Sequence, residues 1–142
     1  MQRSEARVSF AFLPFRHVVI MSSYAYQRKL AAIMVADVIG FSRLIAQDEA
    51  GTLAALRDLR KSIIDPALDL HGGRLFKTVG DGFLAEFPST VGAVSCALSI
   101  QLRMAETATL LRLRIGINLG DVSIDGDDLL GDGVNVAARI EP

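Results

Sequence analysis

Two aspartates with glycines close by, Asp37 in Ala36-Asp-Val-Ile-Gly40 and Asp81 in Gly80-Asp-Gly82, are the residues of this chain best suited to chemistry. Paired carboxylates can hold hard divalent cations, which prefer oxygen ligands, and Mg²⁺ keeps coordination sites for water and substrate phosphates. Two such ions can activate an attacking hydroxyl and hold the oxygens of a leaving phosphate. Lys77, in Lys77-Thr-Val-Gly-Asp-Gly-Phe83, adds a cation to the same stretch. Each residue also has an ordinary reading. An aspartate at a loop tip tolerates the backbone angles of turns, and a lysine among apolar neighbours either snorkels at an edge or is held there for a purpose. The carboxylates acquire a joint role only if the fold brings them together.

The elements around them are legible. Residues 73–79 and 83–87 read as strands joined by a tight hairpin at Gly80-Asp81-Gly82. Lys77 shares its alternating face with Leu75 and Val79. Residues 29–36 are apolar on both alternating faces, the mark of a strand inside a sheet, and this strand ends at Asp37. Val38-Ile-Gly-Phe-Ser42 then turns the chain, with Gly40 permitting close backbone approach. Asp48 and Glu49 suit a helix start, and Leu56, Leu59, Ile63, Ala67 and Leu70 recur at helical spacing until Gly72-Gly73. Pro66 should bend or loosen that helix, and His71 stands at its end. Ser89 and Thr90 open a second helix, whose stripe of Val91, Val94, Leu98, Leu102 and Ala105 is expected to be core. Residues 111–119 alternate strictly, with Leu113, Ile115, Ile117 and Leu119 on one face and Arg112, Arg114 and Asn118 on the other. A hairpin-like excursion over residues 120–128 follows, and residues 133–141 read as the opening turns of a helix.

Strand, helix, strand, strand, helix, strand is the ferredoxin-like βαββαβ pattern of the α+β class, an antiparallel sheet with helices on one face. Right-handed crossover sets the first two strands parallel, and the third inserts antiparallel between them. The end of the first strand and the hairpin turn then share a sheet edge, which sets Asp37 beside Asp81. That joint position, with Gly40, Gly80 and Gly82 exposing backbone, favours a cation seat over solvated turn residues. Two helices cover one face of such a sheet, so the other face is expected to meet a second chain.

Composition bounds the alternatives. The 142 residues suit one domain with a sizeable core, since 51% are apolar. A net charge of −1 with scattered basic residues excludes an electrostatic nucleic-acid footprint. The single cysteine, Cys96, excludes an internal disulfide and reads as a small core residue. No apolar run is long enough to cross a bilayer, and a cytoplasmic location is expected. Residues 1–27 show no helical or strand period and are expected to be a disordered N-terminal extension, with the domain spanning residues 28–142.

Four motifs, in order, resemble the class III adenylate/guanylate cyclase catalytic domain of bacterial type. They are Ala36-Asp-Val-Ile-Gly-Phe-Ser-Arg-Leu44, Gly73-Arg-Leu-Phe-Lys-Thr-Val-Gly-Asp-Gly-Phe83, Arg114-Ile-Gly-Ile-Asn-Leu-Gly-Asp-Val122 and Asp128-Leu-Leu-Gly-Asp-Gly-Val-Asn-Val-Ala-Ala-Arg139. The resemblance implies a nucleotide cyclase fold and conversion of ATP to 3′,5′-cyclic AMP and pyrophosphate. It implies Asp37 and Asp81 as ligands of two Mg²⁺ or Mn²⁺ ions. Lys77 and Asp128 are implied to read the adenine edge, the ammonium donating to a ring nitrogen and the carboxylate accepting from the exocyclic amine. Gly40 and Phe41 are implied substrate contacts, and Asn135 and Arg139 are implied to orient the ribose and stabilise the transition state. A homodimer is implied to assemble the site. Two departures accompany the match. The chain ends three residues past Arg139, whereas family members continue through strands carrying a triphosphate-binding lysine, so the domain is expected to be incomplete at its C-terminus. Asp121 stands where some relatives carry a phosphate-binding arginine. The competing expectations are a catalytically silent cyclase-like domain acting only by pairing, and a guanylate cyclase.

Overall fold

The computed structural model describes residues 6–12, 18–24, 27–131 and 134. Its centre is β3 (Gln27–Val38), in which every residue from Ala31 to Ala36 is buried. It lies between β5 (Gly82–Phe87) and β6 (Leu113–Asp125), with β4 (Arg74–Val79) outside β5 and β7 (Asp128–Leu130) outside β6. Every neighbouring pair is antiparallel, so β3 and β4 run parallel with β5 inserted between them, as the crossover rule requires. β6 is longer than its strictest alternation suggested. It starts at Leu113 and runs to Asp125, because Val122 and Ile124 carry the period onward to a two-residue turn at Gly126-Asp127. Within the extension over residues 1–27, expected to be disordered, β1 (Ala6–Phe12) and β2 (Val18–Tyr24) pair antiparallel in a sheet of their own. The valines and phenylalanines of this stretch are strand formers.

The first crossover is helical from Phe41 onward, earlier than the Asp48 start expected. A one-residue break at Asp48 separates α1 (Phe41–Gln47) from α2 (Glu49–Leu59), and the Asp48 side chain caps α2 by accepting from the Gly51 N–H at 3.0 Å. A π-helical turn over Arg60–Ile64 joins α2 to α3 (Asp65–Leu70). Pro66 accounts for it. Lacking an N–H, it cannot bond the carbonyl one turn back, that of Ser62. The Ser62 oxygen accepts instead from Arg103 Nη2 at 2.9 Å.

α4 (Thr90–Glu106), capped by Ser89 accepting from the Gly92 N–H at 3.0 Å, corrects an expectation. The stripe of Val91, Val94, Leu98, Leu102 and Ala105 faces outward, and the buried stripe is Ala93, Cys96, Ile100 and Met104. α4 is apolar on two sides, and the side with small residues allows the closer approach. A Cβ at Gly92 would stand 3.1 Å from the His71 carbonyl oxygen. Burial also pushes the Cys96 thiol up to about 11, so this cysteine is an inert core residue. The two stripes predict opposite outcomes. Ile100→Ala, at a fully buried position, should cost about 2–5 kcal/mol in urea unfolding. Leu98→Ala, at a position 59% exposed, should stay within about 0.5 kcal/mol.

The sheet is curled, and each of its faces carries a core. On the helix side Met34, Phe83, Phe87, Ile64 and Ile100 pack together. On the other side Ile33, Val35, Leu84, Val122 and Leu129 form a second cluster with Phe76 against it. That second face was expected to be left for another chain. Its middle is covered by this chain itself, because the curl brings the two edge strands, β4 and β7, toward each other across it, while Lys77 and Asp128 on that face stay part-exposed. Among the described residues no helix is long and apolar enough to cross a membrane.

Candidate active site

Asp37 is the penultimate residue of β3, inside the strand rather than beyond it. The alternating pleat turns it away from the helices, toward Arg114, its register partner on β6. The pair is two-pronged: Arg114 Nε donates to Oδ1 at 3.2 Å and Nη2 to Oδ2 at 3.1 Å. Such a fork fixes the plane of the carboxylate as well as its charge.

Asp81 arrives from the β4–β5 hairpin. Gly80 takes the left-handed conformation, φ 58°, that a tight two-residue turn demands. Asp81 Oδ2 accepts from the Val38 N–H at 2.8 Å, so its carboxylate lies against the backbone that follows Asp37. Gly82 makes this approach possible. A Cβ there would stand 2.8 Å from the Ala36 carbonyl oxygen and 3.5 Å from Asp37 Cβ. Two carboxylates thus share one rim of the sheet. They are hard oxygen donors, and among the described residues no group of three or more metal-ligating side chains gathers. A set of two carboxylates fits Mg²⁺ or Mn²⁺, whose remaining positions water and phosphate oxygens fill.

Gly40, with φ 66°, turns the chain from β3 into α1. Phe41 opens α1 half-buried against the helix-side core, so its ring serves packing.

Lys77 lies on a different face from the one expected. A β-bulge at Phe76 breaks the alternation: Leu75 pairs with Ala85, but Lys77 pairs with Leu84. Leu75 therefore packs with the helix-side core and Lys77 points to the face of Leu84, away from the helices. There Lys77 Nζ meets Asp128 Oδ2 at 3.3 Å, while Asp128 Oδ1 accepts from the Leu129 N–H at 2.8 Å. The bulge is what brings together a lysine and an aspartate from opposite edges of the sheet. Asn135 and Arg139 lie outside the described residues.

The partnerships of four charged residues of this region, Arg114, Glu86, Lys29 and Arg74, escaped the sequence reading. Arg114 was legible only as a residue off the core face, since its partnership with Asp37 depends on the β3–β6 register. Glu86 on β5 bonds Lys29 Nζ and Arg74 Nε, each at 2.6 Å. Burial acts to raise the Glu86 pKa, and the hydrogen bonds and charges of Lys29 and Arg74 outweigh it, leaving the carboxyl below its ordinary value.

Comparison with known proteins adds a second line of support. Residues 23–142 match the family model described as the adenylate and guanylate cyclase catalytic domain. A Rhizobium meliloti (strain 1021) protein provisionally named adenylate cyclase 3 is 46% identical over 127 residues, covering 85% of this chain and 22% of that protein. An adenylate cyclase of Streptomyces coelicolor (strain ATCC BAA-471 / A3(2) / M145) is 34% identical over 109 residues, covering 77% of this chain and 29% of its own length. This chain therefore spans under a third of either relative. Among solved structures, an adenylate/guanylate cyclase/hydrolase from Silicibacter pomeroyi superimposes with a TM-score of 0.76 at 41% identity, over 82% of this chain and 72% of that one.

Proposed function

From the premise that this chain belongs to the adenylate and guanylate cyclase catalytic domain family, we propose that it forms the catalytic domain of an adenylate cyclase. The reaction is attack of the ribose 3′-oxygen of ATP on the α-phosphorus. One P–O bond forms, the α–β phosphoanhydride breaks with its electron pair leaving on pyrophosphate, and the 3′-hydroxyl proton passes to solvent. The convergence of Asp37 and Asp81 at one rim carries this reading, through the 2.8 Å bond from the Val38 N–H to Asp81.

Asp37 and Asp81 would hold two Mg²⁺ or Mn²⁺ ions, which supply charge neutralisation at the phosphates and acidify the attacking hydroxyl. The protein's own contribution is positioning and fixed charge. Arg114 keeps the Asp37 carboxylate in plane, and the Val38 N–H fixes one oxygen of Asp81, leaving the other to serve a cation. Lys77 donates to the adenine ring nitrogen and Asp128 accepts from the exocyclic amine, a pairing that favours ATP over GTP. Asn135 and Arg139 orient the ribose and stabilise the transition state. Each complete site combines the metal aspartates of one chain with the base-reading and transition-state residues of a second copy, so the active species is a homodimer.

The test is direct. Purified chain incubated with ATP and Mn²⁺ should release cyclic AMP at a rate per chain that rises with protein concentration, as dimer assembly requires, and GTP should be the poorer substrate. No cyclic AMP at high protein concentration would overturn the proposal in favour of a silent domain. Preferential cyclic GMP formation would overturn the choice of base.

A further inference from the structure

We propose that Arg74 is a positioning residue for base selection: by fastening the β6–β7 turn to β4, it holds Asp128 opposite Lys77 and so sets the preference for adenine over guanine. This rests on the reading of Lys77 and Asp128 as the base-contacting pair.

β4 and β7 are the two edges of the sheet, with three strands between them, so no backbone ladder joins them. Side chains must close the seam. The Lys77–Asp128 contact is a weak closure, at 3.3 Å with the two side chains 43% and 37% exposed, and exposed pairs of this kind contribute little. Arg74, with its side chain 44% exposed, is anchored more firmly, because its carboxylate partner is only 12% exposed. Its Nη1 donates to the Asp127 carbonyl oxygen at 2.8 Å, and its Nε donates to Glu86 Oε1 at 2.6 Å. Its guanidinium also lies over the Phe76 ring, 5.9 Å from the centroid. Glu86 is held in turn by Lys29 at 2.6 Å through its other oxygen, and its side chain is only 12% exposed. Lys29 on β3, Glu86 on β5 and Arg74 on β4 thus make a three-strand clamp. Its outer prong grips the residue next to Asp128.

The chemistry of the bases shows why the grip matters. Adenine presents a donor at its exocyclic C6 position and an acceptor at N1, whereas guanine presents an acceptor at C6 and a donor at N1. A lysine and an aspartate fixed in one order match adenine alone. A pair free to exchange places can satisfy guanine with the same two groups. Selectivity therefore requires an immobile Asp128, and β7, three residues long, is a weak anchor by itself.

The experiment measures displacement of 2′-deoxy-ATP carrying a fluorescent anthraniloyl group on the ribose 3′-oxygen, where no 2′-hydroxyl is present to accept the acyl group. The competitors are 3′-deoxy-ATP and 3′-deoxy-GTP, and none of the three can cyclise. In Arg74→Ala the adenine-over-guanine affinity ratio should fall about tenfold, with Arg74→Lys intermediate because an ammonium lacks the fork that bridges two acceptors. A merely structural role would weaken both nucleotides equally and leave the ratio unchanged, overturning the proposal. Lys77→Ala separates the layers. If it collapses the ratio while Arg74→Ala does not, the positioning role fails and the base-reading pair stands. If Lys77→Ala leaves the ratio intact, or the unaltered chain binds neither nucleotide, the reading beneath fails as well. Should Arg74→Ala not melt cooperatively, Arg74→Gln, which keeps a single donor group, decides by the same ratio.

Discussion

Asp81→Asn should reduce cyclic AMP formation by at least about 10²–10³-fold, the scale on which loss of one electrostatic stabilising group acts, while leaving the fold intact. The asparagine side-chain oxygen can still accept from the Val38 N–H, which Asp81 Oδ2 does at 2.8 Å, so the turn stays docked and only the charge is lost. Asp37→Ala should be as inactive, with an added structural cost, because it removes the two hydrogen bonds that Arg114 donates to the carboxylate. The two variants together separate cation binding from turn docking. Mn²⁺ affinity measured by electron paramagnetic resonance should fall in both, and the urea midpoint should fall in Asp37→Ala more than in Asp81→Asn. An Asp81→Asn protein that keeps its Mn²⁺ affinity and its activity would remove Asp81 from the metal site.

The second large effect is on stability. Phe87→Ala should cost about 3–5 kcal/mol, a substantial part of the roughly 5–15 kcal/mol that holds an ordinary domain together. Phe87 is 1% exposed and sits where β5 meets the helix layer. A Cβ at Gly73 would stand 2.6 Å from its ring and one at Gly92 would stand 3.8 Å from it, so the backbone on two sides closes directly on the phenyl group. Neighbours packed that closely by backbone cannot collapse into the space a smaller side chain leaves. Urea unfolding should show a lower midpoint with an unchanged slope. A loss below about 1 kcal/mol would mean that the site relaxes and that this packing is looser than the contacts indicate.

Much of the machinery was legible before any coordinates. The apolar run over residues 29–36 made β3 central, and Gly80-Asp81 made a hairpin. Asp48 and Ser89 announced helix starts that their capping bonds bear out. The order of elements, with right-handed crossover, was enough to set Asp37 and Asp81 on one rim. Three readings failed for one kind of reason. The exposed stripe of α4 has the helical period of a core stripe, and only the close approach at Gly92 selects the other side. Lys77 follows the period of its strand, and only the bulge at Phe76 reverses its face. The second sheet face looked wholly open, and only the curl of five strands covers its middle with Phe76, Val122 and Leu129.

The amino-acid sequence by itself determined where strands and helices form, which turns join them and which end of the sheet carries the two carboxylates. Those follow from periodicity, turn chemistry and handedness, all of which act within a few residues or within one crossover. Only the tertiary structure decided that Arg114 answers Asp37, that Lys77 meets Asp128, and that Arg74 clamps the turn beside it. Such pairings depend on register, a one-residue bulge and accumulated strand twist, and a small change in any of these moves a side chain to the opposite face.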